Sequence, residues 1–111
     1  MATAAAVFGT SFEAILPMTD TLTMTNSQGN YNLVVGTSGL GGGKTLTLPS
    51  ILSGMVPSQN LQIVVANKAA SGGTITIAAA SGDAIVGTAT LAAGGTGLTF
   101  RHDGLHTWYS T

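Results

Sequence analysis

Gly97-Leu-Thr-Phe-Arg-His-Asp-Gly-Leu-His-Thr-Trp-Tyr-Ser110 reads as two short strands folded about an Asp103-Gly104 turn. Asp-Gly between alternating apolar residues is a strong hairpin signal, because glycine supplies the positive φ that a tight reversal needs. The same alternation recurs upstream in Thr21-Leu-Thr-Met-Thr25, Tyr31-Asn-Leu-Val-Val35, Thr45-Leu-Thr-Leu48, Leu61-Gln-Ile-Val-Val-Ala66, Thr74-Ile-Thr-Ile77 and Thr88-Ala-Thr-Leu91. A period of two buries one face of a strand and turns the other outward, and β-branched Thr, Val and Ile suit that pleat. Asn26-Ser-Gln-Gly-Asn30 reads as a turn region, and Ser71-Gly-Gly73, Ser81-Gly-Asp83, Gly94-Gly95 and Asp103-Gly104 recur at the spacing of a sandwich or barrel. The pattern predicts an all-β fold, a small antiparallel β-sandwich or barrel-like domain. Gly36-Thr-Ser-Gly-Leu-Gly-Gly-Gly43 reads as a loop, and the segment from Pro49 to Pro57 as a crossover with room for one helical turn over 50–55.

Residues 1–20 differ in character and are expected to form an extended N-terminal arm ahead of a single β domain over 21–111. Phe8, Phe12, Ile15 and Leu16 recur at intervals that permit one helical turn before Pro17 ends it. Two readings stand side by side: an edge segment packed on its own domain, or an arm that docks on a partner through these four residues.

Composition narrows the function. The 111 residues fit one domain, and only 5% are aromatic, while 16 are glycine. A chain of this size buries roughly 65% of its unfolded surface, so with few bulky side chains it is expected to complete its core by self-association. Charged residues make up 6%: Lys44, Lys68 and Arg101 against Glu13, Asp20, Asp83 and Asp103. Three scattered cations cannot form a phosphate-neutralising patch, which argues against nucleic acid as a partner. Cysteine is absent, so disulfides and thiolate metal sites are excluded. The Ala-rich start lacks a basic n-region, and no apolar run approaches the ~18 residues of a membrane helix, so an untargeted, non-membrane protein is expected.

Catalytic constellations are incomplete. Gly41-Gly-Gly-Lys-Thr45 suggests a phosphate-binding loop, yet Ser38 stands where the first glycine is required, and a strand pattern follows instead of a helix. Ser38 also misses a nucleophile elbow by one position. His102 and His106, with Asp103, sketch a metal site, but two imidazoles without cysteine are a partial ligand set, and solvated turn residues are the simpler reading. Asp83 and Asp103 fall in turns and are assigned to turn geometry. No cofactor is expected. The Thr-x-Thr runs are similar to ice-binding arrays, but they begin irregularly at 21, 45, 74 and 88, and β-propensity explains them better. Trp108, the only tryptophan, is either a stacking platform for a sugar or a packing anchor; the scarcity of other large side chains favours the anchor. Trp108, Tyr109, Phe100, Ile75 and Ile77 are the expected packing or trimer-interface residues.

Leu46-Thr-Leu-Pro49, Leu61-Gln-Ile-Val-Val-Ala-Asn-Lys68, Ser71-Gly-Gly-Thr-Ile-Thr-Ile77, Gly82-Asp-Ala-Ile-Val-Gly87, Thr90-Leu91 and Asp103-Gly-Leu-His-Thr-Trp-Tyr109 occur in order. Together, over about two thirds of the chain, they resemble a small β domain of tailed-phage structural proteins, found in head and tail fibres and in capsid decoration proteins. The resemblance implies an all-β subunit, usually a homotrimer, without catalysis. Fibres carry long shafts, whereas here the domain follows some 44 residues without heptads. A capsid decoration, or cement, protein is therefore expected on the outer surface of the virion head. It would contact the major capsid protein at three-fold or quasi-three-fold positions, with Phe8, Phe12, Ile15 and Leu16 as capsid contacts. The alternative is a fibre-tip or receptor-binding module for a host glycan or surface protein, which predicts an exposed Trp108.

Overall fold

The computed structural model describes residues 14–24, 31–51 and 62–111. Ten strands lie within them: β1 (Ala14–Met18), β2 (Leu22–Thr23), β3 (Tyr31–Gly36), β4 (Lys44–Thr47), β5 (Gln62–Asn67), β6 (Ile75–Ala78), β7 (Ala84–Val86), β8 (Thr90–Leu91), β9 (Leu98–His102) and β10 (Thr107–Ser110). The one helical element among them is a single 3-10 turn, Ala69–Ser71. The expected turn over 50–55 and the residues Phe8 and Phe12 lie outside the described residues, apart from Ser50 and Ile51.

The strands form two sheets, one of six in the order β1-β3-β5-β9-β10-β7 and one of four in the order β2-β4-β6-β8. From β1 to β9 the chain passes to the other sheet at every step, and only the β9–β10 hairpin stays within one. The fold is thus all-β and two-layered, as the alternation predicts, but the sheets are mixed and not antiparallel. The pairs β1–β3, β3–β5, β10–β7, β2–β4 and β4–β6 are parallel, while β5–β9, β9–β10 and β6–β8 are antiparallel. Alternation in sequence fixes which face of a strand is buried and is blind to the direction of its neighbour. Parallel neighbours need a long crossover, commonly a helix. Here a strand of the opposite sheet serves as that crossover.

Ile15, Leu16 and Pro17 lie in β1, an edge strand of the larger sheet, so this end of the helical turn expected before Pro17 is extended backbone, and its earlier part lies outside the described residues. Proline lacks an N–H to donate, and an edge strand is where that loss is tolerated. Strands β1 and β3 pair from Ala14 onward, so part of the segment read as an arm belongs to the sheet.

The inward rows of the six-stranded sheet follow from the registers: Leu16–Val34–Val65–Leu98, Met18–Gly36–Asn67, Ile63–Phe100–Ser110 and His102–Trp108–Ile85. The smaller sheet contributes Leu22, Leu46, Ile75, Ile77 and Leu91, and Met24, Leu40, Leu48 and Ile51 close the same apolar cluster. Asn67 joins the layers, its Nδ2 donating to the carbonyls of Leu91 in β8 (2.9 Å) and Gly73 (2.8 Å). The shortest extent, 22 Å, is what two sheets about 10 Å apart reach with their outward side chains.

Candidate interaction surface

The histidines and turn aspartates singled out for chemistry make structural contacts. His102 is buried with its ring edge-on to Trp108, centroids 5.0 Å apart at 77°, and its Nδ1 accepts from Gly104 N at 3.1 Å. His106 turns away: its Nδ1 donates to Asp83 Oδ1 at 2.8 Å. The two imidazoles thus serve separate contacts, and among the described residues no three His, Cys, Asp or Glu side chains gather as a metal site. Asp83 Oδ2 also accepts from Ile51 N at 2.9 Å, and Ala84 N donates to His106 O at 2.9 Å. One carboxylate, its side chain 1% exposed, therefore ties the 48–51 segment, the β6–β7 turn and the β9–β10 turn together. His106 adopts φ 73°, a left-handed conformation that costs a non-glycine residue about 1–2 kcal/mol. Its bonds to Asp83 and Ala84 hold it there.

Asp103 organises the hairpin. Its Oδ1 accepts from Leu105 N (2.6 Å) and Thr107 N (3.3 Å), and its Oδ2 accepts from Tyr109 Oη (3.3 Å). These donors, Leu105 N–H foremost, outweigh desolvation and hold the carboxyl below its usual range. Asp20 is lowered likewise, first by Thr21 N–H and then by Lys44, whose Nζ lies 3.5 Å away. That ion pair accounts for the lysine of the glycine-rich 41–45 stretch, which leads into strand β4 and not into a helix.

Trp108, Phe100, Ile75 and Ile77 lie in the core of the single chain, and Trp108 is 1% exposed. They pack within the molecule and leave a second copy nothing to bury. Tyr109 alone of the five interface candidates faces outward, 46% exposed. Of the capsid-contact candidates, Leu16 points inward half-buried, and Ile15 points outward at 60% exposure.

The outward faces of the two sheets differ. On the four-stranded sheet the registers align Thr45–Thr76–Thr90 and Thr23–Thr47–Ala78. The threonines that start irregularly in sequence are brought into rows because the loops absorb the unequal spacing. On the six-stranded sheet the outward rows are Ile15–Leu33–Val64–Thr99, Pro17–Val35–Ala66 and Gln62–Arg101–Tyr109–Val86. Sequence reasoning missed this face. The alternation over 61–66 does not say which side Val64 and Ala66 face, and Ala84–Val86 carries too short an alternation to read as a strand.

No protein-family model, curated protein or solved structure matches the chain.

Proposed function

We propose that this chain is a viral structural protein, a capsid decoration (cement) protein of a tailed phage. The reading places it on the outside of the head at three-fold or quasi-three-fold positions, as a homotrimer against the major capsid protein. It acts by adding buried area between shell subunits, without catalysis or cofactor, and it needs neither nucleic acid nor a membrane. The observation that carries this reading is a two-layer sandwich whose six-stranded outer face presents Ile15, Leu33, Val35, Val64 and Val86 with a single charged side chain, Arg101, as assembly favours. The resemblance of residues 45–111 to phage β domains supplies the phage half of the proposal. No helix among the described residues is long and apolar enough to cross a membrane.

The test is cosedimentation of the purified chain with expanded phage heads, followed by heating of the decorated particles. Binding, with heads that survive higher temperature than bare ones, is expected. Cosedimentation with host cells and not with heads would overturn the proposal in favour of a receptor-binding module. Trp108 is buried, so such a module would need another residue as its stacking platform.

A further inference from the structure

The two sides of the sandwich are chemically unequal. Water-facing hydroxyls cover the four-stranded side: Thr23, Thr45, Thr47, Thr76 and Thr90. The other side carries Ile15, Leu33, Val35, Val64, Ala66 and Val86 across all but two of its six strands, with Val86 54% exposed. Six strands about 4.8 Å apart and some five residues long give the whole face a footprint on the order of 400 Å²; β1, β3, β5 and β7 carry its apolar side chains, while β9 and β10 carry Thr99, Arg101 and Tyr109. Arg101 is the one charged side chain in its three rows.

The charge arrangement on this face favours one occupant over others. Arg101 has no ion-pair partner among the described residues, and Asp103, two positions on, has no cation beside it. Tyr109 bridges them, paired with Arg101 across the ladder and donating its hydroxyl to Asp103. A plus and a minus charge side by side at the border of an apolar face complement a copy of themselves. An anionic lipid surface or a nucleic acid would be met by one cation and repelled by its neighbour. The formal net charge of −1 opposes pairing only weakly.

We infer that the outer face of the six-stranded sheet is the self-association surface, in which Arg101 meets the partner's Asp103. A two-fold axis makes that contact twice per interface and a three-fold makes it once, so the inference concerns the face and not the number of copies. It rests on the assembly half of the proposed function and is independent of the capsid half.

Sedimentation velocity of the full chain at micromolar concentration tests it without capsids, so it can fail while the capsid half of the proposed function stands. The wild type is expected to associate. Ile15→Lys and Val86→Lys change residues more than half exposed, and Arg101→Glu places like charge against the partner's Asp103. Each is expected to weaken association about tenfold or more, a change of roughly 1.4 kcal/mol or greater, with Trp108 emission and far-UV circular dichroism unchanged. Asp103→Asn keeps a side-chain oxygen for Leu105 N and removes the charge; it is expected to weaken association and flatten its salt dependence. A monomeric wild type, or variants that all associate as the wild type does, would overturn the inference. A monomer whose head binding is lost in Val86→Lys would give the face to a capsid partner and overturn it equally.

Discussion

At the scale of single residues, side chains of this protein that suggest chemistry are taken up by structure. Asp83 is the strongest case, because one buried carboxylate accepts from Ile51 N and His106 Nδ1. Asp83→Ala leaves the part-buried Ile51 N without its acceptor and returns the half-exposed His106 Nδ1 to water, and is expected to lower stability by about 1–3 kcal/mol, whereas Asp83→Asn, which keeps an acceptor, should lose less. Urea denaturation checks the order, and equal losses would show that the Ile51 and His106 bonds contribute little. Gly73 is a second sensitive position: a Cβ there would lie 1.8 Å from Leu40 O, which is backbone and cannot swing aside. Gly73→Ala is expected to cost at least the ~1–3 kcal/mol of overpacking, read from the same melts. Trp108 should emit as a buried indole and resist iodide quenching; ready quenching would place it at the surface. The Asp103-Gly104 turn and the buried Trp108 were legible in the sequence because each depends on local chemistry or on the scarcity of large side chains. The Asp83–His106 bond was not, because its partners lie 23 positions apart and meet only through the parallel pairing of β7 with β10.

At the scale of elements, strand identity was legible and strand direction was not. Lys44–Thr47, Ile75–Ala78 and Leu98–His102 fall within a residue or two of the alternating runs, since the period of two is written in the side chains. The partner of each strand is decided by packing between layers, which no local pattern records. The N-terminal strand shows the limit well. Ile15 and Leu16 end a run of helical spacing, but β3 offers Ala14–Met18 an open edge, and over these residues pairing prevails over an isolated turn, which is costly to nucleate. This sets the bounds for a test of the expected N-terminal arm. Deleting 2–12 spares β1 and is expected to reduce head occupancy while leaving the urea midpoint nearly unchanged. Unchanged occupancy would remove the arm from the contact. The outward face was illegible for the same reason as the topology: its rows exist only once β1, β3, β5, β9, β10 and β7 stand side by side.

At the scale of the whole molecule, acid should loosen the fold. Asp20 and Asp103 both titrate below the usual carboxylate range in the folded chain. A depressed carboxyl contributes stability that is complete above its unfolded value, near pH 4, and is lost as pH falls through the lower folded value. Urea midpoints are therefore expected to be level from pH 7 to about pH 5 and to fall below pH 4; a midpoint that rises on acidification would contradict the assignment. Folding should be slow for the chain's size. Leu33 pairs with Val64 and Gln62 with Arg101, so most ladders close long loops before any contact rewards them. Refolding in milliseconds to seconds is expected by stopped-flow Trp emission, and microsecond folding would mean that local structure dominates.

The strict passage of the chain between layers has one more consequence. In a sandwich built sheet by sheet, a fragment can carry a layer of its own. Here a cut anywhere between β2 and β8 leaves two pieces that each hold strands from both sheets. Neither piece owns an intact layer, so neither has a face to fold against. The molecule is interleaved like a deck of cards after one shuffle, and it stands or unravels as a single cooperative unit.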